Sequence, residues 1–98
     1  MLRLDNENSV MDQQEVHISS LVVHARPGHL QTVKNNIERL PGVEIHGESD
    51  SGKLVVVLET QNQSYITDVI EQINNFEYVL STALVYHQIE YLDASKER

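Results

Sequence analysis

Residues 43–60 read VEIHGESDSGKLVVVLET, and this stretch decides the fold. In its first part Val43 and Ile45 alternate with Glu44, His46 and Glu48, the period-two pattern of a strand with one wet face. Ser49-Asp50-Ser51-Gly52 supplies turn residues, and Gly52 is free to take a positive φ. Lys53 to Thr60, with LVVVLE at its heart, reads as a second strand rich in β-branched residues. The expectation is a hairpin of strands at about 43–47 and 53–60.

Helical patterns flank the hairpin on both sides. Upstream, Leu30, Val33, Ile37 and Leu40 recur at spacings of three, four and three, which puts them on one stripe. Pro27 suits the first turn of that helix, where its missing N–H costs nothing. Pro41 disfavours helical geometry at Leu40, and Gly42 helps the turn that follows. Downstream, Asn62 is positioned to cap a helix carrying Ile66, Val69, Ile70 and Ile73, with Phe76 just beyond. Outside the helices lie two more strands, VHISSLVVHA from about Val16 to Ala25 and a last one from about Tyr78 to Ile89.

The order is therefore βαββαβ, and it carries an internal repeat. At an offset of 36 residues, Leu30, Val33, Ile37, Leu40 and Val43 match Ile66, Val69, Ile73, Phe76 and Val79. Two split βαβ units with right-handed crossovers interleave into a four-stranded antiparallel sheet with both helices on one face. This predicts a ferredoxin-like α+β fold with strand order 4-1-3-2. The chain's 98 residues suffice for one such domain, placed at 15–91. Residues 1–14 are polar and aperiodic and are expected to be a disordered extension, and 92–98 a polar tail.

Composition narrows the function classes. The formal charge is −8, which disfavours nucleic-acid backbones and anionic membranes and favours cationic peptides or proteins. The absence of cysteine removes disulfides, thiolate metal sites and cysteine nucleophiles, and fits a reducing cytosol. The apolar stretches 18–25 and 54–58 are too short to span a bilayer, so no stable membrane insertion is expected. The first fifteen residues hold no apolar segment of a secretory signal.

The five histidines, the serines and the acids make no strong catalytic or metal motif. His17, His24, His29, His46 and His87 form no HExxH-like pair, and His46 and His87 fall on opposite edges of the expected sheet. Ser19 and Ser20 lack a nucleophile elbow, and the glycines are scattered at turns rather than gathered in a phosphate loop. The central strands have no aromatics on which RNA bases would stack. No enzyme activity, metal or cofactor is expected.

What stands out is surplus apolar surface. Two helices cover one side of such a sheet, and the other would normally be polar. If Leu54, Val56 and Leu58 face the helices, Val55, Val57 and Glu59 face away. Simple alternation then puts Ser19, Leu21 and Val23 of the first strand on the open face, with Leu80, Thr82, Leu84 and Tyr86 of the last and Glu44 and Glu48 of the second. A contiguous apolar patch of this kind is a candidate interaction surface, the alternative being that the polar tails or a second copy of the chain cover it. Burying one leucine-sized side chain contributes roughly 1.5–3 kcal/mol, against about 0.2–1 kcal/mol for an exposed ion pair. Apolar contact would therefore carry affinity, with the acids tuning register and on-rate.

Four segments resemble the NapD family. They are Ser20-Leu21-Val22-Val23, then Leu40-Pro41-Gly42-Val43-Glu44, then 51–57 (SGKLVVV), and finally Val79-Leu80-Ser81 with Leu84-Val85-Tyr86-His87-Gln88. The resemblance spans about Val16 to Glu90, and the first fourteen residues extend beyond it. It implies a cytoplasmic assembly chaperone that binds the twin-arginine signal peptide of the periplasmic nitrate reductase catalytic subunit and delays export until cofactor loading and folding are complete. On that reading Leu21, Val23, Val55, Val57, Leu84 and Tyr86 form the peptide platform, and Glu44, Glu48 and Glu59 meet the arginines. A monomer is expected, because the acidic rim opposes close self-packing. The competing reading is a dimeric regulatory module of the same fold that binds a small ligand.

Overall fold

A computed structural model describes residues 13–93 of the chain. The hairpin forms from β2 (Val43–Glu48) and β3 (Lys53–Thr60). Its turn is closed by Gly52 N donating to Ser49 O at 3.0 Å and Ser49 N donating to Lys53 O at 2.9 Å. Gly52 takes φ +97°, and a Cβ there would lie 2.2 Å from the carbonyl oxygen of Ala25. Only glycine allows the turn to approach β1 (Gln13–Ala25) so closely, and Ala25 N donates to Gly52 O at 2.7 Å.

The two helices form where the apolar stripes predict them. A short 3-10 turn, Pro27–His29, leads into α1 (Leu30–Glu38). Helix α2 (Gln63–Asn74) begins at Asn62, whose side chain accepts a hydrogen bond from Ser64 N at 3.0 Å. Strand β4 (Val79–Asp93) completes the fold. The antiparallel order is β2-β3-β1-β4, the expected 4-1-3-2 seen from the other edge. Val33 and Ile37 of α1 and Ile66, Val69 and Ile73 of α2 share one core with Leu54, Val56 and Leu58 of β3. Both helices therefore cover the same face, as a ferredoxin-like fold requires.

The first and last strands run past the predicted boundaries. Gln13 and Gln14 belong to β1 and pair with Asp93 and Leu92 of β4, so residues 13–14 and 92–93, which the sequence assigns to the extension and the tail, lie within strands. Residues 1–12 and 94–98 lie outside the described residues.

Register corrects the face assignment in all three strands that pair with β3 or β1. Residues directly opposite one another in an antiparallel pair share a face. Leu21 stands opposite Val56 and Val23 opposite Leu54, so both enter the core and are 0 % exposed. They are not on the open face. In β4 the pairing shifts between Ser20 and Leu21: Leu21 faces Leu84, Ser20 faces Tyr86, and Val85 is left over as a bulge. Leu84 thus follows Leu21 to the helix side while Tyr86 stays on the open face. Thr82, opposite Val23, also lies on the helix side, and Leu80 is the extra residue of a second shift. In β2 a bulge at His46 leaves Glu44 opposite Val57 but puts Glu48 opposite Leu54. Glu48 therefore turns to the helix side, where its carboxylate accepts from Lys34 Nζ of α1.

Candidate functional site

The open face is built from rows that run straight across the sheet. Glu44, Val57, Ser20 and Tyr86 form one row, each opposite the next. Gly47, Val55, Val22 and Ala83 form a second, and Glu59, Ile18 and Gln88 a third. The middle of this face is aliphatic: Ile18, Val22 and Val57 are half-buried, and Val55 is 41 % exposed. Val55 is open because its neighbour on β2 is Gly47, which has no side chain to cover it. A Cβ at Gly47 would sit 3.8 Å from the Val55 Cβ, ordinary contact distance, so nothing in the backbone demands a glycine there.

Polar groups stand at the two sides. On the β2–β3 side, Glu44 and Glu59 flank a recess whose walls include Val16 and Val57. Glu44 is hydrogen-bonded to His46 Nε2 at 3.0 Å. On the β4 side, the Tyr86 hydroxyl donates to Gln88 Oε1, and Gln88 Nε2 donates to Glu90 Oε2 at 3.1 Å. This ladder fixes the Tyr86 ring, which is 52 % exposed, as a shelf beside the aliphatic strip. Such a surface offers apolar contact in the centre, with Glu44 and Glu59 on the β2–β3 side and Glu90 on the β4 side.

Of the predicted site residues, the structure gathers Glu44, Val55, Val57, Glu59 and Tyr86 on this face. Leu21, Val23, Glu48 and Leu84 are not part of it. Ile18 and Val22 take the places assigned to Leu21 and Val23. The signal that could have found them is the pairing of β1 with β3, since either phase of ISSLVVHA buries apolar residues.

The buried histidine lies elsewhere. His17, 1 % exposed on the helix side, shares a hydrogen bond between its Nδ1 and His87 Nε2 at 3.1 Å, and its Nε2 reaches Glu15 Oε1 at 3.0 Å. The His17 and His87 rings are nearly coplanar, with 13° between planes, and join β1 to β4 end to end. Among the described residues no group of three or more His, Asp or Glu side chains is placed to hold a metal ion, and no helix is long and apolar enough to cross a membrane.

The family model described as NapD protein matches residues 16–91, which include every residue of the open-face rows. The chain belongs to the NapD family. Chaperone NapD of Escherichia coli strain K12 is 35 % identical over 74 residues, covering 74 % of this chain and 85 % of that protein. Chaperone NapD of Paracoccus pantotrophus is 34 % identical over 83 residues, covering 85 % and 73 %. The solution structure of the E. coli Tat proofreading chaperone protein NapD superimposes with a TM-score of 0.69 at 34 % identity, covering 74 % of this chain and 78 % of that one. A transcriptional regulatory protein of the AsnC family from Pyrococcus furiosus, at 18 % identity and a TM-score of 0.53, shares the fold alone. The resemblance read from the sequence thus holds, and the chain has the role of a NapD chaperone. Its NapD relatives are named as chaperones rather than as enzymes.

Proposed function

We propose that this NapD-family chaperone binds the twin-arginine signal peptide of the periplasmic nitrate reductase catalytic subunit on the open face of its sheet. Binding takes place in the cytoplasm and withholds the signal from the export machinery until the enzyme has received its cofactor and folded. The observation that carries the reading is the partly exposed aliphatic strip of Ile18, Val22, Val55 and Val57, with Glu44 and Glu59 at one side. A signal peptide of this class joins an apolar segment to a cationic one, so the two parts of the face match the two parts of the ligand. Val55, Val57 and the Tyr86 ring take the apolar segment. Glu44 and Glu59 take the guanidinium groups, whose aliphatic stems lie over Val16 and Val57. Burial of the strip supplies most of the affinity, and the acids set the direction of the peptide. While bound, the peptide's arginines are covered, and a receptor that must read them is excluded.

Fluorescence anisotropy with the labelled signal peptide tests this, with a scrambled peptide and an arginine-to-glutamine peptide as controls. Saturable binding that the scrambled peptide lacks is expected, weakened by the glutamine exchange. A folded protein that binds none of the three up to about 100 μM, near −5.5 kcal/mol, would contradict the proposal for this cargo.

A further inference from the structure

Charge is unevenly placed along the open face. Glu59 and Glu44 occupy neighbouring rows, and Glu90 stands opposite Val16 in the row beyond Glu59. At the other end, past Val55 and Val22, comes a row of Lys53, His24 and Ser81. Lys53 is the one lysine or arginine among the described residues of these rows. It is exposed and forms no ion pair among the described residues, although Asp50 lies in the turn just before it. From Lys53 to Glu59 the strand rises about 20 Å, well beyond the Debye length of about 8 Å at physiological salt. A ligand therefore meets two separate fields, one at each end. Between them the aliphatic strip runs along the central strands β1 and β3, parallel to the gradient of charge.

We infer that Lys53 fixes the direction of the bound signal peptide, whose amino end lies over Glu44 and Glu59 and whose carboxyl end passes the Lys53–His24 row, so that the enzyme behind it sits at the turns 26–29 and 49–52. The inference rests on the peptide-binding reading above. A signal peptide carries its cationic segment first, then its apolar segment, then the mature protein. With the cations over the two acids, the apolar segment follows the strip toward Lys53. In the reverse direction the cationic segment loses both acids and meets a lysine of like charge, so the wrong orientation is penalised as well as the right one favoured. The turns at the Lys53 end are tied into one surface on which a folded cargo can rest. Ala25 N donates to Gly52 O, Arg26 N donates to Tyr78 O at 2.9 Å, and the His29 ring stacks on Tyr78 with centroids 3.7 Å apart. Arg26, His29, Ser49 and Asp50 are exposed there.

Paramagnetic broadening of the isotope-labelled full chain tests the inference, with the signal peptide carrying a nitroxide at its amino end in one sample and at its carboxyl end in another. The amino-end label is expected to broaden amides at 57–61, and the carboxyl-end label those at 22–26 and 49–53. The reverse pattern, or equal broadening of both ends by both labels, overturns the inference while leaving peptide binding itself standing. Absence of saturable binding in the anisotropy titration removes the reading beneath it and the inference together. In Lys53→Glu the asymmetry between the two labels should be lost, whereas Arg39→Glu, the same change of charge at the C-terminus of α1, should keep the wild-type pattern. A wild-type pattern in a folded Lys53→Glu, or loss of asymmetry in both variants, overturns the role of Lys53. With the enzyme precursor in place of the peptide, hydrogen exchange at 26–29 and 49–52 should slow beyond the effect of the peptide alone. Added protection at 61–65 instead would place the cargo at the acidic end and overturn the inference.

Discussion

At the scale of single residues, neighbours in sequence have opposite duties. Leu21 and Val22 are adjacent, yet Leu21 is sealed under the helices and Val22 lies on the open face. Leu21→Ala is expected to cost about 2–5 kcal/mol of stability, as for other fully buried leucines, measurable by urea denaturation. Val57→Asp should leave the fold intact and weaken signal-peptide binding at least tenfold, about 1.4 kcal/mol, measured by anisotropy. Lys34 and Glu48 form a purely structural pair. Lys34's pKa is raised above its ordinary value near 10.5, chiefly by its hydrogen bond to Glu48, with burial pulling the other way. A raised folded-state pKa means that the pair's stabilisation is complete below about pH 10.5 and is lost as the ammonium deprotonates above it. The melting temperature should therefore fall less steeply through that alkaline window in Glu48→Gln than in the wild type. Peptide affinity at neutral pH should be unchanged in that variant.

At the scale of elements, the hairpin, both helices and the Asn62 cap are legible in the sequence because local chemistry specifies them. Asn62 caps α2 by accepting from Ser64 N, and Asn62→Ala should cost about 1 kcal/mol in thermal or urea melts. The faces of β1 and β4 were less legible. In VHISSLVVHA both alternating sets contain apolar residues, so periodicity alone permits either phase, and pairing with β3 decides it. The bulges at His46 and Val85 break alternation, and that is why Glu48 and Leu84 left the predicted face while Glu44 and Tyr86 stayed. The gap over Val55 is likewise set by an element rather than a residue, since it exists because β2 presents Gly47 opposite it. Gly47→Val should close that gap. The expected result is reduced peptide affinity in the titration with unchanged or slightly higher melting temperature, because a β-branched residue suits a strand better than glycine.

At the scale of the whole molecule, the fold divides one sheet between two tasks. The helix side holds the core and the Lys34–Glu48 and His17–His87 links, and the open face is left as a surface. That division was foreseeable from the βαββαβ order, which leaves one face of the sheet without helices, and from the excess of valine in β3. The membership of the face was not, because it depends on registers between strands far apart in sequence. The measurement that tests the central claim most directly is an NMR titration of the isotope-labelled protein with the twin-arginine signal peptide. Shift changes concentrated at Ile18, Val22, Val55, Val57 and Tyr86, with Glu44 and Glu59 at the margin, are the expected result. Changes centred on α1 and α2, with the strip from Ile18 to Val57 silent, would contradict the account.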